Sequence, residues 1–406
     1  MHSRFLVGVG LWALALLLVG CEDAPPAPAP IPGPITTEPI QLPAPTGPHP
    51  VGKRVTSLVD FSRGGLFPGE PEDRRELSIH IWYPCEPPAG APLAPYISPR
   101  IMEVLGFPPE LVPLIRTNAF ADAPLSPARD AFPVVLFSPG FGMNAELYTV
   151  LLEDLASHGY VVVGIDHTFI ATLTVFPDGR EVPLEKDLAL SVLPESTPFN
   201  RGRQLASITT LSALLSAYER VMADDDSFVL SELEKWNAGA PGGWFAGRLE
   251  VASAGVFGHS MGGASSIRAL GRDPRFDAGI NIDGYLQGPP ERSIEQPFML
   301  LSTPDLRQGS PGLNLTYESL KGAGYEVEVS DAAHLNFSDA GPILTHFLGR
   351  EAAGQVAPLG SIDPVRVIQI SRAYVRALFE QHLRGLPSPL LRGPSEEYPE
   401  VTFGSR

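Results

Sequence analysis

Three local structures follow one another in Val251-Ala252-Ser253-Ala254-Gly255-Val256-Phe257-Gly258-His259-Ser260-Met261-Gly262-Gly263-Ala264-Ser265-Ser266-Ile267-Arg268-Ala269-Leu270. The apolar run Val251–Phe257 reads as a strand, Gly258–Gly262 as a tight turn, and the small residues after it as a helix. A G-x-S-x-G turn places its serine at a strained strand-to-helix bend, with the hydroxyl standing out from the top of a parallel sheet. Gly258 and Gly262 fall where a Cβ would clash. The helix that opens just after Ser260 aims its positive end at any anion formed there. Glycine makes up 40 of 406 residues, so the five-residue pattern carries little weight alone. Its flanks give it weight, and Ser260 reads as a nucleophile.

Outward from this turn, the pattern is strand and helix in alternation. Phe132–Ser138 is a continuous apolar strand of the kind found inside parallel sheets. Pro139-Gly140-Phe141-Gly142 follows it, then a helical stretch Glu146–His158 ended by Gly159, then a buried strand Tyr160–Ile165 closed by Asp166 and His167. Arg201–Met222 has apolar residues at helical spacing, and Phe276–Asp283, Phe298–Ser302 and Tyr325–Val329 read as strands. Pro364–Leu383 is a last helix, and Arg75–Tyr83 alternates as a half-buried strand does. The implied fold is α/β, with a mostly parallel central sheet flanked by helices on both faces. Proline-broken Pro87–Arg129, with a short helix near Arg100–Gly106, reads as a peripheral cap, and Asp178–Pro198 as an excursion. Asp224-Asp225-Asp226 reads as a solvated helix end rather than a metal loop, because further ligands at fixed spacing are missing.

The first fifty residues do not read as globular. Met1–Gly20 has a short basic opening with Arg4 and an apolar stretch to Val19, the pattern of a secretory signal. Leu18-Val19-Gly20-Cys21 resembles a bacterial lipobox, in which cleavage leaves Cys21 as a lipid-modified N-terminus. The expectation is a lipoprotein of the bacterial cell envelope, anchored to a membrane through Cys21 and facing periplasm or exterior. Residues 21–50, crowded with proline, read as an extended tether, and 51–406 as a single domain. With Cys21 acylated, only Cys85 remains, so no internal disulfide forms. A net charge of −17 without a Lys/Arg run excludes nucleic acid as a partner.

A serine hydroxyl needs a base, and the base needs a carboxylate to hold its tautomer. In α/β-hydrolase order the carboxylate follows the serine and the histidine comes last. His334, in Asp331-Ala332-Ala333-His334-Leu335-Asn336-Phe337, stands in the right place. His346 lies in a helical stretch, His259 points away from Ser260 to pack or bond locally, and His158 marks a helix end. His167 closes a strand and either lines the pocket or serves its loop. Asp283 and Asp305 both follow strands, so the acid stays open between them, whereas Asp277 comes too early.

These pieces together resemble the plasma and type II platelet-activating-factor acetylhydrolase family. The resemblance rests on Arg75–Tyr83, Phe132–Gly142, Leu155–His167, the Arg201–Met222 helix, Gly258–Gly263, Asn281–Tyr285 and His334–Asp339, and it spans about Asp60 to Leu383. It implies Asp283 as the acid, His334 as the base, and backbone N–H groups of Met261 and Phe141 as the oxyanion hole. The family often has His-Gly where this chain has Pro139-Gly140. It further implies hydrolysis of short-acyl esters, with a small ester or phospholipid as substrate, no cofactor and no metal; the H-E-x-x-H and cysteine-cluster patterns are missing as well. Two alternatives differ in kind: a cutinase-like polyester or general esterase, whose acid would fall at Asp305, and an inactive hydrolase fold serving as a surface binding lipoprotein.

Overall fold

Phe132–Ser138 is buried along its whole length, and its alternating side chains explain why. Val135 and Phe137 enter one hydrophobic core while Val134 and Leu136 enter another on the opposite face. The first core is closed by helices α1 (Thr149–Ser157) and α4 (Pro364–Leu383), the second by α2 (Ile208–Asn237) and α3 (Met261–Arg272). A run that is apolar at every position is therefore a strand covered on both sides, as parallel sheets require.

The computed structural model describes residues 35–64, 74–184, 208–304 and 306–406. Among them are β1 (Val51–Gly64), β2 (Arg74–Pro84), β3 (Phe132–Ser138), β4 (Val161–Asp166), β5 (Leu249–His259), β6 (Phe276–Ile282), β7 (Phe298–Ser302), β8 (Gly324–Val329) and β9 (Val401–Ser405). With the short strand Phe120–Ala121 at one edge they form a ten-stranded sheet in the order β9-β8-β7-β6-β5-β3-β4-β2-β1. Strands β3 to β8 are parallel, while β9 and β2 are antiparallel to their neighbours. After β4 the chain crosses back over β3 to place β5 beside it. Such a reversal opens a crevice at the carboxyl ends of the strands. The segments leaving β3, β5 and β6 there carry Pro139–Gly142, Ser260 and Asp283.

Two expectations are corrected. The tether does not run to Pro50, because residues 35–50 lie against the domain. Leu42 is fully buried, Ile40–Gln41 pairs with Ile115–Arg116, and Thr46 N–H donates to Asp154 Oδ1 at 2.8 Å. Arg372 reaches the carbonyls of Pro43 and Ala44 at 3.0 and 3.1 Å. Leu42 thus belongs to the core, although its proline-rich surroundings lack periodicity. The signal segment and Cys21 lie outside the described residues.

Asp224–Asp226 is not a helix end either. The helix continues to Asn237, with Asp224 paired to Arg272 at 2.8 Å and both Asp225 and Asp226 fully buried. Asp225 is held by Arg75, Arg63 and the His167 ring. These partners are distant in sequence, so two of the three acidic residues that read as solvated are internal. The start of that helix at Arg201 and most of the Asp178–Pro198 excursion fall outside the described residues. Pro87–Arg129 packs as a cap, burying Tyr96, Ile97, Ile101, Met102, Leu111 and Val112.

Candidate active site

Ser260 has φ 57° and ψ −124°, a backbone region that side chains other than glycine rarely adopt. Its neighbours explain the glycines around it. A Cβ on Gly262 would lie 1.9 Å from the Ser138 carbonyl oxygen, and one on Gly258 would lie 2.4 Å from the Gly262 carbonyl carbon. On Gly263 it would meet Asn281 Oδ1 at 2.4 Å. The bend is held by Ser260 N–H donating to the Ile282 carbonyl at 2.8 Å. Because His259 and Ile282 are register partners, Ser260 and Asp283 leave adjacent parallel strands at the same level.

Asp283 also has positive φ, at 50°. Its Oδ2 lies 2.7 Å from His334 Nδ1, and its Oδ1 accepts from Thr303 N–H and Thr303 Oγ1–H, both at 2.8 Å. Burial alone would raise this carboxyl. The His334 bond and charge and the Thr303 N–H outweigh burial and hold it below the usual carboxylate range. An ionised carboxylate only accepts, so His334 carries its proton on Nδ1 and leaves Nε2 free to act as a base. His334 opens the short 3-10 turn His334–Phe337 after β8, where Asn336 Oδ1 accepts from Ala333 N–H and Gly360 N–H at 2.8 and 2.7 Å.

The loop after β3 approaches the serine from the other side. A Cβ on Gly140 would lie 3.1 Å from Ser260 Cβ, a crowded contact that glycine avoids. Gly142, at φ 70°, donates to the Ile170 carbonyl at 3.0 Å, and Met143 N–H donates back to the Gly140 carbonyl at 3.0 Å. Met261 is the first residue of α3, where an N–H has no intrahelical acceptor. The Phe141 ring packs on Tyr218 with centroids 5.4 Å apart.

The other sequence candidates separate clearly. His259 does bond locally: its ring lies between Tyr148 Oη and the His334 carbonyl, at 2.8 and 3.0 Å. His158 caps α1, and His346 sits in the helix Ala340–Leu348. His167 is buried, with Nε2 2.9 Å from Ser138 Oγ and Nδ1 2.8 Å from Asp225 Oδ2. Asp305 lies outside the described residues. Sequence reasoning missed Thr303 and Tyr148, since an isolated threonine or tyrosine carries no spacing signal.

His259, Asp283 and His334 bring ligand-type atoms within 4.8 Å of one another, as do His80, Glu146 and Asp166. In the first group those atoms already share protons with each other, with Tyr148 and with a backbone carbonyl. In the second, Glu146 is already paired with Lys53, whose Nζ stands 3.2 Å from Oε1. Neither set suits a metal ion. Among the described residues, no helix is long and apolar enough to cross a membrane.

Residues 35–386 match the family described as platelet-activating factor acetylhydrolase, isoform II. A probable 1-alkyl-2-acetylglycerophosphocholine esterase of Arthroderma benhamiae is 26% identical over 395 residues, covering 89% of this chain and 93% of that one. The platelet-activating factor acetylhydrolase of Gallus gallus is 23% identical over 280 residues, which cover 63% of each chain. Among solved structures, a ferulic acid esterase from Streptomyces cinnamoneus superposes with a TM-score of 0.72 at 34% identity, covering 89% of this chain and 98% of that one. The class that fold and relatives define is an ester hydrolase built on the α/β-hydrolase fold. Within that class, the chain belongs to the platelet-activating factor acetylhydrolase, isoform II family, as its sequence resemblance implied.

Proposed function

We propose that Ser260, His334 and Asp283 form the catalytic triad of this hydrolase, and that it acts on short-acyl esters, including platelet-activating-factor-like or oxidised phospholipids. The observation that carries the triad is the 2.7 Å bond between His334 Nδ1 and Asp283 Oδ2, made at the carboxyl edge where the strained Ser260 stands. His334 Nε2 takes the Ser260 proton as the hydroxyl attacks the ester carbonyl. The N–H groups of Met261 and Phe141 receive the oxyanion, and the alcohol leaves with the proton from His334. Water then attacks the acyl-enzyme by the same route. Thr303 fixes the Asp283 carboxylate, so the imidazolium meets a charge already in place. The lipobox-like Leu18–Cys21 supports a lipid anchor at Cys21 and a place in the bacterial cell envelope.

The short-acyl reading draws on the family and on the Arthroderma relative's printed activity. A second reading, esters of hydroxycinnamic acids, draws on the 34% identity to the Streptomyces ferulic acid esterase. One panel separates them: p-nitrophenyl acetate through palmitate, a 1-alkyl-2-acetyl glycerophosphocholine, and methyl ferulate, each with wild type, Ser260→Ala, Asp283→Asn and Asp305→Asn. The first reading expects turnover that falls with acyl length, hydrolysis of the acetyl phospholipid, and near-complete loss in Ser260→Ala and Asp283→Asn. Preference for methyl ferulate would favour the second. Loss in Asp305→Asn with retention in Asp283→Asn would move the acid one strand on, and no turnover of any ester would leave only a binding role.

A further inference from the structure

Resting on the triad reading above, we infer that Tyr148 and His259 are positioning residues: they bridge the loop carrying one oxyanion donor to the backbone of the catalytic histidine. The bridge is read from its partners in turn. His259 Nε2 lies 3.0 Å from the His334 carbonyl oxygen, which can only accept, so Nε2 carries a hydrogen. His259 is fully buried, and its ring lies 4.4 Å from the His334 ring, centroid to centroid. Burial first, then the charge at His334, lowers its pKa to about 3, so the ring stays neutral. A neutral ring protonated on Nε2 accepts at Nδ1. Tyr148 Oη, 2.8 Å away, therefore donates there, and the Met143 Sδ at 3.0 Å is left as a weak contact. With its proton engaged, the Tyr148 oxygen accepts from Gly140 N–H at 3.4 Å.

The line thus runs Gly140 N–H to Tyr148 O–H to His259 to His334 C=O. At one end is the residue before Phe141, at the other the backbone of the base. A charged ring at His259 would repel the imidazolium formed at His334, whereas an apolar ring would leave the His334 carbonyl without its donor. A buried neutral histidine meets both demands. Asn336 holds the same loop independently, so breaking the bridge should misplace the base without unfolding its loop.

The test uses the full chain with Tyr148→Phe, His259→Phe, the double variant and His259→Gln. Active sites are counted by release of p-nitrophenol from diethyl p-nitrophenyl phosphate, and kcat and KM are measured on p-nitrophenyl acetate per titrated site. Each Phe variant should lose kcat by on the order of ten- to a hundredfold, less than the loss of an oxyanion donor outright, with KM unchanged. The double variant should lose no more than the worse single one, because one cut already severs the bridge. The His259→Gln variant, whose side-chain amide N–H can reach the same carbonyl, should recover part of the loss. A reduced count of titratable sites with normal kcat per site would mean a merely structural role and overturn the inference, and so would additive losses. If wild-type Ser260 does not take the phosphoryl label, the triad reading fails, and the bridge with it, by a result distinct from the others.

Discussion

Replacing Asp226 with asparagine should stabilise the protein, by a margin that grows from acid to mildly alkaline pH. Asp226 is fully buried on α2, with Oδ1 2.8 Å from Ser138 Oγ and Oδ2 without a partner. The nearby guanidiniums of Arg75 and Arg63 are both engaged with Asp225. Burial first, then the charges of Asp225 and Asp224, push the Asp226 carboxyl up to about 8 against the bond from Ser138. Asp225, by contrast, is driven well below the usual range, its burial outweighed by Arg75, His167 and Arg63. His167 is buried and held below its ordinary value, so it is neutral, with Nδ1–H on Asp225. The consistent chain is then Asp226 carboxyl O–H to Ser138, and Ser138 O–H to His167 Nε2.

The sign follows from linkage. Below roughly pH 4 both folded and unfolded chains hold the Asp226 proton, so nothing is lost there. Between roughly pH 4 and 8 only the folded chain holds it, and stability falls by about 1.4 kcal/mol per pH unit. Above the folded value the loss is complete, at about 6 kcal/mol. An asparagine in its place cannot ionise, and the amide N–H donates to Ser138 as the protonated acid does. Urea unfolding of wild type and Asp226→Asn at pH 5 and pH 8 should give a stability difference that widens by about 4 kcal/mol between them. Parallel behaviour at the two pH values, or a less stable variant at pH 8, would mean that Asp226 is the ionised acceptor and His167 carries the charge.

Three further perturbations follow from the site and from residues 35–50, the strap that lies against the domain. Thr303→Val removes one of two bonds to Asp283 Oδ1 and should lower kcat about tenfold with KM held, a hydrogen bond to a charge being worth about 1.5–3 kcal/mol; unchanged kcat would contradict a role for Thr303. Gly140→Ala puts a methyl 3.1 Å from Ser260 Cβ. Because the loop must retreat, kcat should fall by on the order of a hundredfold, the scale of a misplaced oxyanion donor, with the urea midpoint nearly unchanged. A chain beginning at Val51 loses buried Leu42 and the acceptors of Arg372. Its stability should drop by at least about 2 kcal/mol relative to a chain beginning at Glu22, and equal urea curves would show the strap to be idle.

What the sequence made legible was whatever sterics and periodicity impose locally. Phe132–Ser138 could be read as a central strand because a strand covered on both faces has no polar alternation to hide. Gly258 and Gly262 could be read because the tight turn leaves no room for a Cβ, a constraint set within a few residues and by the neighbouring strand. The strap was misread for the converse reason. Leu42 has no periodic companions, and its burial depends on Ile115–Arg116 and Arg372, some 75 and 330 residues away. The choice between Asp283 and Asp305 turned on resemblance, since both follow strands.

The polar networks form a third case, and they bear directly on the site. Nothing local distinguishes Tyr148 or Thr303 from any tyrosine or threonine, yet the fold sets one against His259 and the other against Asp283. Asp225 and Asp226 are adjacent in sequence and identical in type, but only Asp225 faces Arg75 and Arg63. Folding therefore separates their proton affinities in opposite directions. The buried proton at Asp226 bonds to Ser138, whose carbonyl oxygen is what excludes a side chain at Gly262. The same strand end leads directly into Pro139–Gly142. An ionised Asp226 would thus disturb the backbone against which both the nucleophile's turn and the oxyanion loop are packed. Alkaline loss of activity in wild type, absent in Asp226→Asn when scored per titrated site, is the outcome this connection requires; identical alkaline limbs in the two proteins would sever it.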